Sequence, residues 1–228
     1  MVVIPAFLLA FCASLLAGNE DGGLKSDTLE SILRRMKARL DFIEDYRCLY
    51  SSVAVRGPRR EESVIKYFYK KPGRIRAEIV GGDKNGTILL TREGKVRVQT
   101  RGILSFASFT FRADNPRVTD IRGNKLEETS WEHLVDEHLR ELDALELISA
   151  RRETLDGREA LVLEIASREP SRTRRIAREV LWVCAADDIL LGFDMFDYKD
   201  RLVQAGRFAD IILNPGLPDS LFTRFSRR

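Results

Sequence analysis

Two histidines, three cysteines and many carboxylates are the groups in this chain that could do chemistry. His133 and His138 stand five residues apart on a segment that reads as a helix. That spacing turns their side chains about 140° from each other. A metal pair favours i,i+4 spacing, so both read as helix-surface histidines and no metal site is expected. Cys12, Cys48 and Cys184 form no C-x-x-C pair, which leaves dithiol redox chemistry without support. Asp194 and Asp197 flank Met195 and Phe196, but strand alternation places them on opposite faces, against a joint acid–base role. Gly81-Gly82-Asp83-Lys84-Asn85-Gly86 lacks the Gly-Lys-Ser/Thr ending of a phosphate loop and precedes a strand, so it reads as a wide turn. No Gly-x-Ser-x-Gly elbow occurs. The residues assemble no catalytic set and imply no cofactor.

Arg168, Arg172, Arg174, Arg175 and Arg178 form a basic run between two strands. Such a run either touches anionic head groups or an acidic partner, or is a solvated hairpin loop. Aromatic residues in the strands are the remaining signal: Tyr67, Tyr69, Phe106, Phe109, Phe111, Trp182, Phe193 and Phe196, with Met195 among them. They line an apolar cavity or pack as ordinary core.

The hairpin Tyr67-Phe68-Tyr69-Lys70-Lys71-Pro72-Gly73-Arg74-Ile75-Arg76-Ala77-Glu78-Ile79-Val80 shows how these residues are positioned. Its second strand alternates. Ile75, Ala77 and Ile79 point one way and are expected on a concave apolar side; Arg74, Arg76 and Glu78 point to water. The ligand-cavity candidates are therefore Tyr67, Tyr69, Ile75, Ala77, Ile79, Trp182, Phe193 and Met195.

Residues 1–19 carry no charged side chain, and 2–17 are almost wholly apolar. Residues 1–18 read as an export signal peptide, too short to span a bilayer comfortably. Leu9-Ala10-Phe11-Cys12 has a lipobox leucine but a bulky Phe11, so lipid anchoring at Cys12 is not expected. A periplasmic or secreted location follows, with 24–228 as one domain large enough for a real core. Net charge is +3 with 32% charged residues, too balanced to suggest nucleic-acid binding. In an oxidising compartment Cys48 and Cys184 either form a disulfide or are two small buried hydrophobes.

The spacing predicts a helix capped by Asp27, with Leu29, Ile32, Leu33, Met36 and Leu40 as its apolar stripe, continuing to Phe42 and Ile43. Strands are predicted at 46–55, 64–71, 74–80, 87–92, 95–100 and 103–111. A second helix starts near Thr129 with Glu132 completing a capping box; Trp131, Leu134, Val135, Leu139, Leu142 and Leu145 mark its apolar side. Further strands follow at 147–152, 159–166, 176–184, 189–198 and 201–213. Without a repeating βαβ unit, a parallel sheet is not expected. The fold class is mainly β with two helices: a large curved antiparallel sheet, or an unclosed barrel, with the helices on its concave side.

Several segments carry a family resemblance. They are Asp45-Tyr46-Arg47-Cys48, the Lys71-Pro72-Gly73-Arg74-Ile75-Arg76 turn, residues 86–90, the helix around 131–139, Leu155-Asp156-Gly157-Arg158-Glu159-Ala160, and the ending Leu213-Asn214-Pro215-Gly216-Leu217-Pro218-Asp219-Ser220-Leu221-Phe222. In this order the chain resembles the LolA/LolB type of lipoprotein carrier and, more narrowly, the DUF1571 family of exported bacterial proteins of unknown function. The resemblance implies an unclosed barrel with a helical lid over an apolar cavity that shields acyl chains. It implies no catalytic residues, and a shared fold does not confer the activity.

Three functions compete. The first is a non-catalytic envelope protein that binds or carries a lipid or the acyl chains of a lipoprotein. The second is an envelope interaction module with a self-filled core and a protein partner. The third is a hydrolytic enzyme, which needs convergent ionisable groups in a cleft.

Overall fold

A computed structural model describes residues 28–100, 107–169 and 175–225. The apolar leader, Cys12, Asp27, Phe106, Arg172 and Arg174 lie outside them. Helix α1 (Leu29–Asp41) begins at Thr28, whose hydroxyl accepts from the Ser31 amide at 3.1 Å. Leu29, Ile32, Leu33, Met36 and Leu40 are buried as expected. The stripe does not run through Phe42, which is 76% exposed where the helix ends, although Ile43 is buried.

Among the described residues five long strands and six shorter ones follow: β1 (Asp45–Arg56), β2 (Arg59–Lys70), β3 (Arg74–Gly82), β4 (Ile88–Arg92), β5 (Lys95–Gln99), β6 (Phe109–Arg112), β7 (Leu145–Leu155), β8 (Arg158–Ser167), β9 (Arg178–Cys184), β10 (Leu190–Phe196) and β11 (Leu202–Leu213). Helix α2 (Trp131–Arg140) separates β6 from β7. All form one sheet in the order β6-β5-β4-β3-β2-β1-β11-β10-β9-β8-β7, with every described pair antiparallel. The chain meanders outward from β1 to β6, crosses through α2, and returns from the far edge until β11 pairs with β1. β6 and β7 remain separate edges among the described residues, so the sheet is curved and unclosed, as the carrier-type resemblance implies. Turn chemistry supports this path. Gly82 has a φ of +85°, and a Cβ there would collide with the Glu62 carbonyl across β2, so this bend requires glycine.

Strand register decides which residues share the concave face. One row runs Cys48–Tyr67–Ala77–Leu89–Val98–Phe109 across β1 to β6. A neighbouring row joins Tyr46, Tyr69 and Ile75. On the other side of β1, Ser52, Gly206, Phe193 and Leu181 align across β11, β10 and β9. Ile75, Ala77 and Ile79 are buried on this face. The helices press on it through aromatic contacts. Trp131 stacks on Tyr46 at 4.1 Å with planes 9° apart, and Tyr46 stacks on Tyr69 at 4.9 Å.

The convex face departs from expectation at Arg76, which is 1% exposed instead of facing water. The carboxyl-terminal segment crosses over it. Arg76 pairs with Glu78 at 2.6 Å and donates to the Leu221 and Arg224 carbonyls at 3.0 and 2.7 Å. Phe222, in the same strap, is buried. The Asp45 carboxylate anchors its start by accepting from the Leu217 amide at 2.7 Å. Alternation places Arg76 on the outer face, but a segment distant in sequence covers it.

Cys48 and Cys184 are free and buried. They lie on β1 and β9, three strand spacings apart, roughly 14 Å. A disulfide needs Cα atoms within about 7 Å, so the bridged alternative does not fit this sheet order and the two act as small hydrophobes.

Candidate functional site: two clefts on the concave face

The first cleft opens where α2 faces β9, β10 and β11, and encloses about 70 Å³. Phe193, Met195, Phe208 and Tyr50 form its floor. Gly206 makes that floor possible: a Cβ there would strike the Phe193 ring and come within 2.9 Å of the Tyr50 ring. Tyr50 and Phe208 then stack at 4.7 Å. Helix α2 is capped by Ser130, whose hydroxyl accepts from the His133 amide at 3.2 Å, one residue later than the expected Thr129. The Thr129 hydroxyl is used elsewhere, against the Leu126 carbonyl at 2.6 Å and the Tyr67 hydroxyl at 3.1 Å.

His138 is not a surface histidine. It is 6% exposed and bonds through Nε2 to Glu179 Oε2 at 2.8 Å, while Nδ1 meets the Leu134 carbonyl at 2.8 Å. Burial by itself lowers an imidazole pKa, but the Glu179 carboxylate and the Leu134 carbonyl outweigh it and raise His138 to about 9. At neutral pH the ring is an imidazolium with both N–H groups engaged. It fastens α2 to β9 and has no lone pair for proton abstraction. The signal in the sequence is position: His138 follows Trp131 and Leu134 by seven and four residues, on the buried stripe.

Glu132 does not complete a capping box. Both its oxygens are buried without a hydrogen bond of good geometry. Burial raises its pKa to about 7, although the Tyr69 hydroxyl, Lys71 and Lys37 lie close enough to oppose that. Among the described residues no cluster of His, Cys, Asp and Glu could hold a metal ion. Burial pushes the Cys48 thiol far up, so it is no nucleophile. Asp194 and Asp197 each have their own arginine, Arg207 at 2.8 Å and Arg201 at 2.7 Å.

The second cleft is a shelf of about 290 Å³ on the inner side of β4, β5 and β6. Leu89, Val98, Phe109, Phe111 and Val118 line it, with Lys84 and Arg117 at its rim. Phe109 is 49% exposed.

The expected cavity residues separate accordingly. Phe193 and Met195 reach the first cleft. Tyr67, Tyr69 and Ile75 are packed under the helices, and Ala77 adjoins the shelf through its partner Leu89. Trp182 lies on the opposite face from Phe193. It pairs with Gly192, and Arg207 stacks over its ring at 4.2 Å. The error is one of parity: Leu181, not Trp182, is the partner of Phe193. Sequence reasoning misses Leu89, Val98, Val118 and Arg117. For Leu89 and Val98 the signal is the apolar alternation of successive hairpin strands, legible only after registering them against one another; Arg117 and Val118 lie in the irregular segment after β6, which strand alternation does not reach.

No family model matches the chain and no curated protein matches it. Among solved structures it is similar to an uncharacterized conserved protein from Thermus thermophilus, at 15% identity over 87% of this chain and 94% of that one, with a TM-score of 0.54. It is also similar to the lipoprotein LppX of Mycobacterium tuberculosis (7% identity, 83% and 96% covered, TM-score 0.48) and to a LolA superfamily protein from Nitrosomonas europaea (14% identity, 87% and 99% covered, TM-score 0.40). The first establishes a shared fold and nothing further. The other two, with scores below 0.5, carry no argument about this chain.

Proposed function

We propose that this chain is a non-catalytic binding protein that carries the apolar part of an amphiphile in the cell envelope, at the β4 to β6 end of its concave face. The observation that supports this best is the shelf. Under α1 and α2 the concave side is packed with side chains apart from the small first cleft, whereas at β4 to β6 an apolar recess of about 290 Å³ remains, with Phe109 49% exposed at its edge. That volume is near the lower bound of about 300 Å³ for small-molecule pockets. The apolar leader and the DUF1571-like order of segments support an exported protein. The engaged nitrogens of His138 weigh against catalysis.

Titration with a series of alkyl maltosides tests this reading. Each added CH₂ contributes about 0.8 kcal/mol, or about fourfold in affinity, until the shelf is full. Phe109→Asp should abolish that dependence. A series without chain-length dependence, or one unchanged in Phe109→Asp, would overturn the reading.

A second reading is favoured by the first cleft, whose 70 Å³ is far below a ligand pocket. Here the chain is an envelope interaction module with a self-filled core. It predicts that a protein partner is recovered from the envelope by cross-linking and that no alkyl maltoside binds.

A further inference from the structure

Resting on the carrier reading, we infer that the shelf takes a single-chain amphiphile with an anionic head. Its chain lies over Val98 and Phe109, and its head group meets the Arg117 guanidinium. Among the described residues, the charged side chains that line the shelf are Lys84 and Arg117, and no carboxylate lines it. Lys84 is already committed, with Nζ 2.9 Å from Glu61 Oε1 and 3.1 Å from the Thr119 carbonyl. It is the fixed positive end of a neutral pair.

Arg117 differs. Its backbone amide donates to Asn115 Oδ1 at 3.0 Å, which sets the turn. Its guanidinium sits over the Phe111 ring, 5.6 Å from the centroid. Among the described residues the guanidinium makes no hydrogen bond or ion pair, which leaves its N–H groups available for two parallel bonds to a phosphate, sulfate or carboxylate. The donor edge therefore stands beside the apolar wall, the arrangement an anionic amphiphile needs.

The other cleft has the reverse sign. Glu128, Glu137, Glu141 and Glu179 line it against Arg122 and His138. An anion is favoured at the shelf and disfavoured at the first cleft. The shelf has room for one short chain, and it is a recess on the concave side. This commits the ligand to a monomer taken from solution, in preference to a bilayer surface.

Calorimetric titration of the full chain tests the proposal with dodecyl phosphate, dodecyl maltoside and dodecyltrimethylammonium, each below its micelle concentration. The phosphate should bind about tenfold tighter than the maltoside, and the ammonium weaker than both. Arg117→Glu should remove the phosphate preference while maltoside affinity stays within about twofold, and circular dichroism should confirm the fold. High salt should reduce the preference in the native protein. Equal binding of phosphate and maltoside, or a preference that survives Arg117→Glu, overturns the anionic head while leaving the carrier reading standing. Absence of binding by all three overturns both. Sedimentation with vesicles of anionic phospholipid, without monomer binding, also overturns the proposal.

Discussion

The concave face is one surface with two different halves. Under α1 and α2, the row from Tyr46 through Tyr69 meets Trp131 ring on ring, and Gly206 admits Phe193 against Tyr50. That half is filled by the protein itself, and its ionisable groups are buried in pairs or alone. At β4 to β6, the same strand alternation delivers Leu89, Val98 and Phe109 to the same face, where Val98 is buried, Leu89 is half-buried and Phe109 is 49% exposed. Identical pleating thus produces packed core in one place and a recess with a half-exposed aromatic edge in the other. Coverage, not strand composition, decides which.

The strongest way to break this contrast is to empty the filled half. Trp131→Ala removes a buried ring stacked on Tyr46 and should destabilise the fold by about 4 kcal/mol, read as a lower urea midpoint with unchanged slope. The next effect comes from the fastening of α2 to β9. His138→Ala leaves Glu179 buried without its partner and should cost about 3 kcal/mol, whereas replacing both residues with leucine should recover most of the loss.

Two titrations sharpen the same point. The pKa of His138 is raised to about 9 in the fold from an ordinary 6.5. Its contribution is fully present below 6.5 and is lost as pH rises through 9. The pKa of Glu132 is raised to about 7 from an ordinary 4.5. Its contribution is likewise present below 4.5 and lost as pH rises through 7. Each amounts to something on the order of 3 kcal/mol at most. Denaturation midpoints should therefore fall from pH 5 to pH 9. Glu132→Gln should flatten the curve between 5 and 7, and His138→Gln between 7 and 9. A midpoint that rises across this window contradicts the assignment.

The smallest stability effect is expected on the shelf. Phe109→Asp, at a half-exposed edge-strand position, should change stability by no more than about 0.5 kcal/mol. Its effect should appear in alkyl maltoside binding. Loss of binding at constant stability would separate the two halves functionally.

Local pattern makes the strands, turns and both helices legible, because periods of 2 and 3.6 are written in neighbouring residues. The faces of Ile75, Ala77 and Ile79 follow from alternation alone. Trp182 departs from expectation because both parities of β9 are apolar, so alternation there does not say which one faces inward; the pairing of Phe193 with Leu181 sets that. His138 reads as a surface residue because its partner, Glu179, is 41 residues away. Arg76 reads as solvent-facing because its cover arrives 145 residues later.

The sequence by itself determined the all-antiparallel meander, the two amphipathic helices and the apolar rows, since each depends on backbone periodicity and short-range turn chemistry. Only the tertiary structure decided that Cys48 and Cys184 lie three strands apart, that α2 is fastened by a buried imidazolium, and that the apolar row ends at a half-exposed Phe109 on β6. Those outcomes depend on sheet order and on which segment lies over which. Both are set by contacts between residues far apart in the chain, where local propensity carries no information.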